Sequence, residues 1–153
     1  MGAKNAKVAQ RHALTHVIYA LFLMVVIMLA IKLNEDWVAS LFTDNPQDVF
    51  YIKQVLNIIS VYLVLDSLHG VNTGIVRALG KQFRASIATI CCYYIFGLPL
   101  ALVLGFKMEM GLVGFWIGFT AALTLQDILV SGIIVCADWN IGTKLEEELE
   151  AKL

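Results

Sequence analysis

Four long apolar stretches constrain the fold of this chain more than any other feature of its sequence. They cover approximately residues 14–33, 50–76, 86–106 and 112–137. A bilayer core about 30 Å thick needs about 20 apolar residues in a helix that rises 1.5 Å per residue. The strict alternation of an outer-membrane barrel is absent, and backbone groups in lipid then require helices. The sequence therefore predicts an all-α membrane protein with four transmembrane helices.

The composition agrees with a membrane protein and argues against several other classes. Hydrophobic residues make up 59% of the chain and charged residues 15%, against about 45–50% and 25% in soluble domains. The net charge of −1 provides no basic field for nucleic acid. The three cysteines offer no zinc-site spacing, and no catalytic motif is present. We therefore expect the lipid bilayer as a partner, with no nucleic acid, no metal, no cofactor and no enzymatic activity.

The polar connections predict the orientation in the membrane. Eight of the eleven basic residues fall on one side of a four-pass chain: Lys4, Lys7, Arg11, Arg77, Lys81, Arg84, Lys144 and Lys152. Cytoplasmic loops carry an excess of Lys and Arg. Both termini are therefore predicted to be cytoplasmic, with residues 1–13 as a lead-in and residues 138–153 as an acidic tail.

Local signals predict where helices begin, bend and pack. Asn45 followed by Pro46 is typical of a helix cap and a first helical residue. Pro99 removes a backbone hydrogen bond inside the third apolar stretch, so we expect that helix to bend near Gly97. Gly70 and Gly74 form a Gly-x-x-x-Gly pattern, which we interpret as a close-packing face between two helices.

Asp66 is the strongest candidate for chemistry. It lies about sixteen residues into the second apolar stretch, where an ionised carboxylate costs about 2.5–3.5 kcal/mol on insertion scales. Such an acid is expected to face protein or water. It can bind and release a proton or another coupling ion when its access alternates between the two sides of the membrane. The alternative is that Asp66 is hydrogen-bonded to a neighbouring helix and only holds the two helices together.

Other polar residues are candidates for lining the same pathway. On a helix, Tyr62 and Asp66 share a stripe with His69, Gly70, Thr73 and Arg77. Tyr62 can donate a hydrogen bond to Asp66 or present its ring to a cationic substrate. The fourth stretch adds Asp127, which either pairs with a polar group across the bundle or forms a second titrating site. The candidate lining residues are Tyr62, His69, Asn72, Thr73, Gln126 and Asp127.

Six segments in order resemble motifs of the multidrug and toxic compound extrusion (MATE) transporters. They are residues 1–5 with Ala9, 37–43, 77–82, 93–99, 111–118 and 138–139. Residues 93–99, for example, look like the Tyr-Tyr-x-x-Gly-x-Pro segment of the eukaryotic branch. Ala78 and Phe115 stand where glycine and leucine are usual. The resemblance covers nearly the whole chain.

The resemblance implies a function as well as a fold. It places the chain at the last four of twelve helices, in the C-terminal lobe. It implies efflux of organic cations or other drug-like compounds in exchange for H⁺ or Na⁺, with Asp66 at the family's ion-coupling position. The missing N-terminal part would be a partner, because alternating access needs both halves. The resemblance is compatible with a location in either the plasma membrane or the vacuolar membrane.

Two other hypotheses fit the residues. One is a stand-alone four-helix assembly or regulatory subunit without transport activity, in which Asp66 only holds helices together. The other is a small exporter built from two copies of the chain, which the motifs of a larger transporter disfavour.

Overall fold

The computed structural model describes residues 6–139, which are helical apart from short connections and contain no strand. Helix α1 (Ala6–Leu33) is followed by the short α2 (Glu35–Ser40) and by α3 (Pro46–Ala78). The third long helix is Gln82–Lys107, and the fourth is Gly111–Val135. These four are long and apolar enough to cross a membrane. The all-α architecture with four spanning helices is therefore confirmed.

The third spanning helix, Gln82–Lys107, is not a regular α-helix. It contains α4 (Gln82–Ile90), a π-helical segment (Cys91–Gly97), α5 (Leu98–Leu102) and a second π-helical segment (Val103–Lys107). The first π-helical segment ends directly before the first turn of α5, which contains Pro99. Proline cannot donate the α-helical hydrogen bond, and π turns and prolines are common sites of helix bending. The predicted bend near Gly97 thus coincides with an irregular backbone.

Helix α3 begins where its capping signal predicts. The side chain of Asn45 accepts a hydrogen bond from the backbone N–H of Gln47 at 3.1 Å, and Pro46 is the first helical residue. Helix α3 therefore starts four residues before the apolar stretch that begins at about Phe50, because its first turn is polar. At the other end the chain reverses at Gly80, whose φ of +67° favours glycine.

Helix α6 (Gly111–Val135) and helix α3 form the centre of the described structure. Helix α3 packs against α1 and α6, and α6 also packs along the third spanning helix. Among the largest fully buried apolar side chains are Val76, Leu79, Leu123 and Val130. Helix α1 contacts only α2 and α3 within residues 6–139. Most of its large apolar side chains are exposed, as suits contact with hydrocarbon or with further helices.

The closest helix contact is built from small residues on α6 and the third spanning helix. A Cβ added at Gly118 would lie 2.6 Å from the backbone of Ala101, and one at Gly114 would lie 2.6 Å from the backbone of Leu104. Gly97 opposes Ala122 in the same way, with an added Cβ 2.5 Å from the alanine Cβ. These residues let the two backbones approach as Gly-x-x-x-Gly patterns allow.

Gly70 and Gly74 have no close helix neighbour within residues 6–139, so their interpretation as a packing face stays a prediction. A Cβ added at either residue would meet nothing within 4 Å. Both glycines lie on the exposed side of α3, away from α1 and α6. The pattern that packs helices here is Gly114-x-x-x-Gly118, on α6.

Charged and polar contacts join the helices at the end opposite Gly80. Lys53 of α3 pairs with Asp36 and with Glu35, the latter at 3.7 Å, so α2 is tied to α3. The hydroxyl of Tyr51 accepts a hydrogen bond from the backbone N–H of Leu112 at 2.8 Å. This contact fixes the start of α6 against the first turns of α3.

Candidate functional site

A polar network crosses the interior between α3, α4 and α6. Its centre is His69, whose Nδ1 lies 3.1 Å from Oδ1 of Asp127. When Asp127 is ionised, its carboxylate only accepts hydrogen bonds, and the Nδ1–H of His69 is then the donor. Asp127 is buried, with 5% of its surface exposed. The structure thus pairs Asp127 with a polar group across the bundle, and its role as a second titrating site stays a prediction.

Gln126 extends this network to the third spanning helix. Its Nε2 donates to Oγ1 of Thr89 at 2.6 Å and lies 3.4 Å from Nε2 of His69. Thr89 in turn donates to the backbone oxygen of Ala85 at 2.9 Å. Oγ1 of Thr73 lies 3.3 Å from Nε2 of His69 on its other side. Three helices are therefore connected through one imidazole ring and one amide.

Two oxygens of the network have no hydrogen-bond partner in the part of the chain that the structure describes. They are Oε1 of Gln126 and Oδ2 of Asp127, and both are fully buried. Buried oxygens without partners are costly because they lose their contact with water. Since most buried polar groups are bonded, these two mark a place where a proton or another donor can be accommodated.

A second, smaller polar contact between α3 and α6 lies about one helical turn from His69. Asn72 is buried, and its Nδ2 donates to Oγ of Ser131 at 3.3 Å. Asn72 therefore ties α3 to α6.

Asp66 lies at the surface of the described bundle, on the same exposed side of α3 as Gly70 and Gly74. It is close enough to Asp127 and Tyr93 to act on both electrostatically. The network centred on His69 is thus beside Asp66 but does not contain it.

Tyr62 does not make the expected hydrogen bond to Asp66. Its ring packs edge-on against Trp116, with centroids 5.4 Å apart, and its hydroxyl lies near that of Tyr93. These contacts direct Tyr62 towards α6 and the third spanning helix, whereas Asp66 faces outward.

A cavity of about 240 Å³ adjoins the network. His69, Thr73, Thr89 and Gln126 line its inner part, and Arg77, Gln82 and Ser86 line the rest. Arg77 is near the end of α3 and Gln82 begins α4, so the cavity extends towards the end of the bundle at Gly80. All three of these residues are exposed, which leaves the cavity open on that side.

The sequence-predicted residues therefore separate into two groups. The structure brings together His69, Thr73, Gln126 and Asp127, but it leaves Asp66 outside this cluster. Thr89, Tyr93 and Ser131 were missed as site residues. The only sequence signal for these three residues was a polar side chain inside an apolar stretch. Hydroxyl groups that bond to the backbone of their own helix are common in such stretches, so this signal does not identify site residues.

A metal centre has no support in the described part of the chain. Within residues 6–139, no three His, Cys, Asp or Glu side chains are grouped closely enough to hold a metal ion. The lead-in and the acidic tail lie partly outside these residues.

Comparison with known proteins agrees with this picture of an all-α, multi-pass membrane protein. A family model described as MatE matches residues 1–103. Protein DETOXIFICATION 33 of Arabidopsis thaliana is 31% identical over 153 residues, which is 100% of this chain and 31% of the relative. Multidrug and toxin extrusion protein 1 of Danio rerio is 30% identical over 94% of this chain and 24% of its own length.

A solved structure shows the same fold. The crystal structure of the eukaryotic MATE transporter AtDTX14 superposes with a TM-score of 0.82 at 27% identity, covering 91% of this chain and 31% of the other. The chain belongs to the MatE family of membrane transporters. It spans about a third or less of the length of these relatives.

Proposed function

We propose that this chain is the C-terminal part of an efflux antiporter, which exports organic cations or other drug-like compounds in exchange for H⁺ or Na⁺. The observation that carries the proposal is an ionisable Asp66 on a spanning helix of a chain in the MatE family. The names of the relatives, which refer to detoxification and to multidrug and toxin extrusion, support the substrate class.

The position of Asp66 supports its role in ion coupling. A carboxylate facing lipid is expensive, yet Asp66 projects from the described helices together with Gly70 and Gly74, which have open space beside them. This face therefore needs a polar or aqueous environment, which the rest of a transporter would supply. Asp66 would take up the coupling ion from one side, release substrate, and lose the ion towards the cytoplasm.

Orientation and location follow from the same proposal. The distribution of basic residues supports cytoplasmic termini. This placement agrees with a segment of the last four helices in a twelve-helix transporter. The missing N-terminal part is the required partner, in either the plasma membrane or the vacuolar membrane.

The test is efflux of an organic cation from cells that express the native-length polypeptide. Asp66→Asn should abolish gradient-driven efflux at normal surface expression, because the amide cannot bind and release the coupling ion. Asp66→Glu should retain part of the activity. Asp48→Asn is a matched control, since Asp48 lies in the first turn of the same helix, outside the apolar stretch.

Retained efflux in Asp66→Asn would contradict the proposal. A subunit in which Asp66 only holds helices together predicts a different result. In that case Asp66→Asn would lower the amount of assembled protein and leave the dependence on the ion gradient unchanged.

A further inference from the structure

The contact between His69 and Asp127 has no part in the proposed function. It is an ionisable pair inside the bundle, with the side chain of Asp127 6% exposed and that of His69 25% exposed. Oδ2 of Asp127 has no hydrogen-bond partner among residues 6–139. A carboxylate held this way is an unusual choice for a contact that only joins helices, because a neutral amide would make the same hydrogen bond without a charge.

The surroundings of His69 can satisfy both of its protonation states. In the neutral ring, Nδ1–H donates to Asp127 and Nε2 accepts from the Gln126 amide or the Thr73 hydroxyl. When a proton adds to Nε2, the new N–H can donate to Oγ1 of Thr73, because a hydroxyl accepts as readily as it donates. Gln126 keeps its bond to Thr89 in both states, but its amide N–H loses Nε2 of His69 as an acceptor once that nitrogen is protonated.

The charge of the pair changes with this proton. A neutral His69 beside an ionised Asp127 leaves one net negative charge inside a membrane bundle, and one added proton removes it. The titratable or charged groups facing the pair are Asp66 from α3, Tyr93 from the third spanning helix and Arg77 at the cavity. Because the two residues interact directly, they take up the proton as a unit.

A route for the proton is also present. His69 and Gln126 line the cavity of about 240 Å³ that opens beside Arg77 and Gln82. A water molecule occupies about 30 Å³ in the liquid, so the cavity has room for several. Water there can deliver a proton to Nε2 of His69 without passing Asp66, which lies on the exposed side of α3.

We propose that His69 and Asp127 form a second proton-binding site, separate from Asp66, which exchanges its proton with water through this cavity. The proton adds to Nε2 of His69, Thr73 accepts the resulting hydrogen bond, and the Asp127 carboxylate balances the charge. The proposal stands on this geometry and does not depend on the role of Asp66.

Nitrogen NMR of the native-length protein tests the site in lipid nanodiscs, with ¹⁵N-labelled histidine and pH as the only variable. The signals that disappear in His69→Gln identify His69. We expect them to change from those of a neutral ring to those of a doubly protonated ring as the pH is lowered over the range in which the protein stays folded. In Asp127→Asn, which keeps an acceptor but removes the charge that balances the proton, the doubly protonated ring should be less populated at each pH.

Two variants serve as controls. Asp66→Asn should leave the titration of His69 present, so that loss of transport in that variant is distinguishable from loss of this site. Asp138→Asn, near the end of α6, should not alter it. A ring that stays a single neutral tautomer over the whole range would overturn the proposal, and so would a titration that is identical in Asp127→Asn and the unmodified protein.

Discussion

At the scale of single residues, Gln126 shows how a buried amide is tolerated among helices. Only one end of its side chain is bonded: Nε2 donates to Thr89, whereas Oε1 has no partner. Hydrogen bonds between membrane helices contribute about 0.6 kcal/mol on average. The gain from the bonded end and the cost of the unpaired end therefore oppose each other, and Gln126 adds little to stability.

This balance gives a prediction for Gln126→Leu. The variant removes one hydrogen bond but also removes an unpaired buried oxygen, in nearly the same volume. We expect the free energy of unfolding to change by less than about 1 kcal/mol, measured by denaturant titration of the native-length protein in mixed micelles. Gln126→Ala is the comparison, because it leaves a cavity and should cost more. A loss above about 3 kcal/mol in Gln126→Leu would show that the amide is a major structural tie.

At the scale of helices, the contact between α6 and the third spanning helix depends on Gly118. An added Cβ would lie 2.6 Å from Cα and N of Ala101, and backbone cannot move aside as a flexible side chain can. Gly132 lies on the same helix with nothing within 4 Å of its added Cβ. Replacing each of these glycines by alanine therefore distinguishes two effects on stability. The change in helix propensity occurs at both positions, whereas the steric clash occurs only at Gly118.

We predict that Gly118→Ala destabilises the protein by about 1–3 kcal/mol, as overpacking does. Gly132→Ala should be neutral or stabilising by up to about 1 kcal/mol, because alanine favours a helix more than glycine does. Thermal unfolding in detergent, followed by circular dichroism, measures both. Equal stability of the two variants would mean that the close helix contact is absent in solution.

The four spanning helices were predictable from the sequence, but the faces on which they contact one another were not. Apolar length defines four spans, and Asn45 with Pro46 defines the start of α3, because both signals are local. Gly70-x-x-x-Gly74 and Gly114-x-x-x-Gly118 look alike in sequence, yet only the second faces a neighbour. The same limit applies to His69 and Asp127, which are 58 residues apart. Their pairing depends on which faces of α3 and α6 meet.

At the scale of the whole molecule, the described helices expose much of their apolar surface. Phe22 on α1, Phe83 on α4 and Ile95 in the first π-helical segment are all exposed, and Asp66 is exposed with them. Apolar residues can face lipid, but the carboxylate cannot do so cheaply. The bundle therefore has one face that suits lipid and one that suits further protein or water.

This asymmetry, together with relatives of which the chain covers about a third, predicts the size of the native product. An antibody raised against residues 144–153 should detect a polypeptide about three times the 16.9 kDa of this chain, by immunoblot of source-cell membranes. A band near 17 kDa would instead indicate a separately made four-helix product and direct attention to a partner chain.

The measurement that tests the central claim most directly is coupling at Asp66 in proteoliposomes of the native-length protein. Addition of an organic cation outside should drive coupling ions out of the vesicles, read by an internal pH dye or by Na⁺ flux. We predict that Asp66→Asn abolishes this ion movement, that Asp66→Glu retains part of it, and that Asp48→Asn leaves it unchanged. Substrate-driven ion movement of normal size in Asp66→Asn would contradict the account.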